Sequence, residues 1–148
     1  MKLCASTIVH AHEVDSSLVD KHSTLVRKMA EEAVGLALAV VGFKDGIPLD
    51  YNGGIVGLTT YGERYPELWL KADRRIRPLQ FGSAILNSVI GHCSIMFHLT
   101  GPQILLSRGD ALIVVDLQFR MERSKLMLIC TYGDESSVEV QVLMKDET

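Results

Sequence analysis

QFGSAILNSVIGHCSIMFHLTGPQILLSRG, running from Gln80 to Gly109, is the stretch on which the reading of the fold turns. Ile85, Val89, Ile90, Cys93 and Phe97 fall on one broad stripe, which predicts a helix from Gly82 to Leu99. Gly82, Ser83, Ala84, Ser88, Gly91 and Ser94 are interleaved with that stripe. Small side chains at this density let a helix approach its neighbours closely, as a central helix must. Gly101-Pro102 breaks it, because proline lacks the N–H that would continue the ladder. Ile104 to Leu106 then reads as a short strand, and Asp110 to about Arg120 as a further helix.

On the N-terminal side, Leu3 to Val9 is short and apolar and reads as a buried strand. Ser23 to Val41, rich in Ala, Leu, Glu and Lys, predicts a long helix, with Gly42, Asp45-Gly46 and Pro48 as its stop signals. Ile55 to Thr59 is a continuous apolar run of the kind carried by a strand covered on both faces. A short helix is predicted around Pro66 to Ala72 and a loop at Arg77-Pro78. On the C-terminal side, Lys125 to Tyr132 is a strand. Val138, Val140 and Val142 alternate with Glu139 and Gln141, which predicts a last strand with one polar face, expected at a sheet edge. Strands alternating with helices give an α/β fold with a mostly parallel central sheet and helices packed on it.

A chain of 148 residues suits a single domain spanning 1–148, and 47% hydrophobic with 22% charged residues describes an ordinary globular protein. The net charge of −3 argues against a nucleic-acid binder. The basic cluster Arg74, Arg75 and Arg77 reads as a solvated loop, or as a contact for an anionic partner. Three cysteines, Cys4, Cys93 and Cys130, have no CxxC spacing and imply neither a disulfide framework nor a zinc site. Free thiols suit a reducing compartment, so a cytoplasmic location is expected. No basic, apolar leader opens the sequence, and the longest apolar run, Val34 to Val41, falls well short of the ~20 residues that cross a bilayer. Phosphate-loop, dinucleotide and nucleophile-elbow motifs are absent, so no cofactor is implied.

Phe81-Gly82-Ser83, Asn87-Ser88, Gly91, Ser94-Ile95 and Gly101-Pro102 follow in the order and spacing of a β-ketoacyl synthase. The chain resembles the N-terminal half of that thiolase-like family, with Gly62-Glu63 after the second strand and Leu126 to Asp134 as the late strand. The resemblance implies a thiolase-like half and a nucleophilic cysteine near Asp110, where this chain reads Ser107-Arg108-Gly109-Asp110. A thioester condensation needs a thiolate to receive the acyl chain. A carboxylate at a helix N-terminus is favoured electrostatically but is a poor acyl acceptor. The family's two catalytic histidines belong to a second half that lies outside the sequence. Condensation by this chain alone is therefore not expected. The resemblance also implies that a lone half exposes an apolar face, expected on Gly82 to Leu99, which a second copy, another protein such as a ketosynthase, or rearranged local elements would cover, a homodimer being the default expectation. It further implies that the strand Gln103 to Ser107 pairs across a dimer axis.

The leading expectation is a pseudoenzyme: a ketosynthase-like partner or binding subunit in polyketide or fatty-acid biosynthesis, meeting a ketosynthase and an acyl carrier protein. Its binding residues would be Asn87, Ser107, Arg108 and Asp110. The alternative is a small enzyme using Asp110 or Glu63 as acid or base on an acyl or amino-acid-derived metabolite. A structural dimer module without ligand is the third. Asp110 reads first as a helix N-cap, and Asn87 as a group satisfying buried backbone. His92 and His98 lack the four-residue spacing of a helical two-histidine site, and His10, His12 and Glu13 make a poor ligand set. Tyr65 and Trp69 read as pocket cover or as surface packing.

Overall fold

Apolar runs of strand length pair into one sheet, and the helices between them cover its two faces. A computed structural model describes residues 1–15, 25–59, 88–133 and 136–146. The strands are β1 (Lys2–His10), β2 (Gly54–Thr59), β3 (Gln103–Leu106), β4 (Leu126–Tyr132) and β5 (Ser137–Met144), in the order β1-β5-β4-β2-β3. The helices are α1 (Leu25–Val40), α2 (Ser88–Met96) and α3 (Ala111–Arg120). β2 runs parallel to β3 and β4, while β5 runs antiparallel to β4 and to β1. Four of the five strands thus share one direction, and β5 is inserted among them reversed.

Alternation along the strands divides the core into two layers. On one face Met29, Val34 and Leu38 of α1 join Ile90 and Cys93 of α2 over Leu128, Cys130, Val140 and Val142. Ala30, Ala33 and Ala37 are fully buried, so α1 lies close on the sheet, and Thr7 Oγ1 donates to the Ala33 carbonyl at 2.9 Å. On the other face Ala111, Val115 and Phe119 of α3 pack on Val56, Met127, Ile129 and Leu143. Both helices of the first layer end with a left-handed residue followed by a backbone bond back to the last turn. Phe43 N–H donates to the Leu38 carbonyl at 2.8 Å beyond Gly42, and Leu99 N–H to the Ser94 carbonyl at 2.9 Å beyond His98. His98 has φ +58°, taking the left-handed position that glycine fills after α1. The helix predicted to Leu99 accordingly stops at Met96.

The Gly101-Pro102 pair has a steric basis. Gly101 N–H donates to the Gly53 carbonyl at 2.9 Å, and the Pro102 carbonyl accepts from Ile55 N–H at 2.9 Å, which aligns β2 with β3. A Cβ on Gly101 would stand 2.0 Å from the Asn52 carbonyl oxygen. Only a residue without a side chain fits.

Two placements differ from the sequence-based expectation. The last strand is not an edge: β5 lies between β1 and β4. Its alternation reports that Glu139 and Gln141 face a less covered side, and carries no information about lateral neighbours. β1, expected to be buried, is one of the two edges instead, with Leu3 and Ile8 about half exposed. The short helix predicted at Pro66 to Ala72 and the Arg74–Arg77 loop lie outside the described residues. Among the described residues no helix is long and apolar enough to cross a membrane.

Candidate functional site

In sheets with parallel strands, functional groups collect beyond the carboxyl ends. Beyond β3 the chain turns through Ser107, Arg108 and Gly109, with φ +109° at Gly109, and enters α3 at Asp110. A positive φ there is open to glycine and strained for other residues. Asp110 has extended backbone, and its Oδ1 accepts from the Leu112 N–H at 2.9 Å. It is the N-cap the sequence suggests. Ser107, Arg108 and Asp110 are all exposed and sit together because they are adjacent in the chain. Glu63 and Asn87, the other two candidates, lie outside the described residues.

Two of the three cysteines are held as buried thiols. Cys93 is buried, and burial first, then the Glu31 carboxylate, pushes its thiol up to about 12 against an opposing pull from Arg27. Burial likewise raises Cys130 well above the ordinary thiol range. A thiol held protonated is unreactive. Cys4 is half-buried in the edge strand, its thiol 3.6 Å from the Lys2 carbonyl.

The described histidines do not gather at the turn. His92 joins α2 to α1: its Nδ1 lies 2.8 Å from the Arg27 guanidinium and its Nε2 3.1 Å from the Glu31 carboxylate. Arginine only donates, so Nδ1 accepts and Nε2 carries the hydrogen towards Glu31. Lys28 completes the group, 3.7 Å from Glu31. Sequence reasoning gave His92 a packing or surface role but missed its partners, which come from a helix some 60 residues earlier. His10 and His12 stack with ring centroids 5.7 Å apart, while Glu13 accepts from the His10 backbone N–H at 3.0 Å. Glu13 closes a turn and is not a third ligand. Among the described residues no group of three His, Cys, Asp or Glu side chains is placed to hold a metal.

A cleft of about 440 Å³ opens at the other end of the sheet, lined by Asp50, Tyr51, Glu122, Lys125, Met144, Lys145 and Asp146. These residues come from separate segments before β2, before β4 and after β5, so no local motif announces them. The amino terminus pairs with Asp146 beside it, and Lys145 lies 3.9 Å from Glu122. The cleft lies at the opposite end of the sheet from the Asp110 turn.

No protein-family model and no curated protein matches the sequence. Solved structures do match. A chain of the ketosynthase (ApeO) in complex with its chain length factor (ApeC) from Xenorhabdus doucetiae superposes with a TM-score of 0.61 at 12% identity, over 98% of this chain and 79% of that one. The fold is thiolase-like. The 3-oxoacyl-[acyl-carrier-protein] synthase III of Aquifex aeolicus superposes with a TM-score of 0.56 at 12% identity, over 99% of this chain. The thiolase-like chain spans about half of that synthase, 54% of its length. At such identity the likeness carries the fold and not the chemistry. The Ser107–Asp110 turn lies between the parallel strand β3 and the helix α3 after it.

Proposed function

We propose that this thiolase-like chain is a non-catalytic subunit that pairs with a ketosynthase in polyketide- or fatty-acid-type assembly. Residues 1–148 would act as one ketoacyl-synthase N-terminal-like unit in the cytoplasm. The observation that carries the reading is the turn after β3: Asp110 accepts a backbone N–H of α3, at the position for which the sequence resemblance implies the thiolate of a condensing enzyme. A carboxylate so used completes the scaffold and forms no thioester. The likeness to a chain from a ketosynthase–chain length factor complex supports a partner role. Edge strand β3, hydrogen-bonded to β2 on one side, offers a main-chain edge for a ketosynthase to extend. An acyl carrier protein would be met through the assembled pair.

The reading is tested by the mass of the purified chain in solution, alone and mixed with a ketosynthase and an acyl carrier protein encoded beside it. A stable mixed complex, with no condensation by the chain alone and a changed product from the ketosynthase, is the expected result. A chain that binds neither protein, or that condenses acyl thioesters unaided, would overturn it.

A further inference from the structure

The cleft at the far end of the sheet from the Asp110 turn has a volume of about 440 Å³, within the range that small-molecule sites occupy. Backbone hydrogen bonds fix its walls. Lys125 N–H donates to the Tyr51 carbonyl at 2.9 Å, and Lys145 N–H donates to the Lys125 carbonyl at 3.0 Å. The approaches to β2 and β4 and the exit from β5 are thereby held side by side. Asn52 and Glu122, with φ +48° and +58°, turn the chain sharply at two of these approaches. The Tyr51 ring stands edge-on to Phe43, with centroids 5.3 Å apart, so its position is set as well.

The charges lining the cleft are only partly paired. Asp146 pairs with the amino terminus, and Glu122 lies 3.9 Å from Lys145. That leaves Asp50 and Lys125. Both are exposed, and neither side chain makes a hydrogen bond or ion pair among the described residues. Half-buried Tyr51 and Met144 give the same cleft an apolar wall. A simple anion or a simple cation would be attracted by one of the two uncommitted charges and repelled by the other. A molecule carrying both signs satisfies both with charge-assisted hydrogen bonds.

We propose that this cleft binds a free α-amino acid with an apolar side chain. Lys125 takes its carboxylate and Asp50 its ammonium, while its side chain lies against the Tyr51 ring and Met144. The site is remote from the Ser107–Asp110 turn and does not rest on the ketosynthase-partner reading: a chain that pairs with no ketosynthase would bind the amino acid all the same.

The test is isothermal titration calorimetry of the full chain with L-phenylalanine, L-leucine and L-methionine. Binding at millimolar concentration or below is expected for at least one of them. For the tightest binder, the decarboxylated amine and the deaminated acid, which keep one charge each, should bind at least about tenfold more weakly. Lys125→Met should lower amino-acid affinity at least about tenfold, yet leave the amine analogue bound no more weakly than before. Asp50→Asn should do the same for the amino acid and spare the acid analogue. Both side chains are exposed, so circular dichroism should be unchanged in either variant. Absence of binding by all three amino acids would overturn the proposal. A single-charge analogue as tight as its parent, or wild-type affinity in either variant, would overturn it too.

Discussion

Asp110 separates a scaffold residue from a chemical one, and the distinction can be measured. Its Oδ1 takes the Leu112 N–H at 2.9 Å, one of the donors a helix N-terminus leaves unsatisfied. Asp110→Ala removes that acceptor without opening a cavity, because the side chain is exposed. The loss expected for a capping Asp replaced by Ala is about 1 kcal/mol. For a domain of 148 residues the unfolding entropy is roughly 310 cal/mol/K, so the midpoint should fall by about 3 °C. Asn caps as well as Asp. Asp110→Asn should therefore melt close to the wild-type chain.

Urea unfolding followed by circular dichroism gives the free-energy difference directly, with an unchanged slope showing that neither substitution alters the surface exposed. The reasoning fails if Asn is as damaging as Ala, since charge and not the capping oxygen would then matter. It fails equally if Ala is neutral, because the cap would then explain nothing about why a carboxylate stands at this turn.

Gly101→Ala should abolish soluble expression or cost well over 3 kcal/mol, because its Cβ would overlap the Asn52 carbonyl oxygen at 2.0 Å; a well-folded variant in thermal melts would show that the β2–β3 junction yields. Thiol labelling at pH 8 should modify Cys4 in the native chain and leave Cys93 and Cys130 unmodified until denaturant is added, with mass spectrometry locating the adducts. The folded state holds the Cys93 proton more tightly than the unfolded chain does. That contribution is complete below the ordinary thiol pKa of 9.0 and is lost as pH rises towards about 12, which alkaline unfolding would register.

The parts of the fold legible in the sequence are those decided by local chemistry. α1 shows its periodicity and its glycine stop, β2 its unbroken apolar run, and Asp110 its capping role. What stayed hidden depends on lateral neighbours. Nothing in Val138 to Val142 says which strands flank it, so β5 was expected at an edge and lies inside. The stop of α2 at His98 was hidden because no glycine marks that left-handed residue. Of the candidate site, the Ser107–Asp110 turn was legible because it is contiguous. The His92 bridge to Arg27 and Glu31 was not, since it joins helices distant in sequence.

α3 presents two distinct surfaces. Its N-terminus holds a capping carboxylate, and its outer side keeps Ile113, Leu117 and Met121 about half exposed or more. Polar residues at those positions would add solubility at little cost to the core beneath Val115 and Phe119. Apolar side chains facing away from the core instead favour burial against another surface.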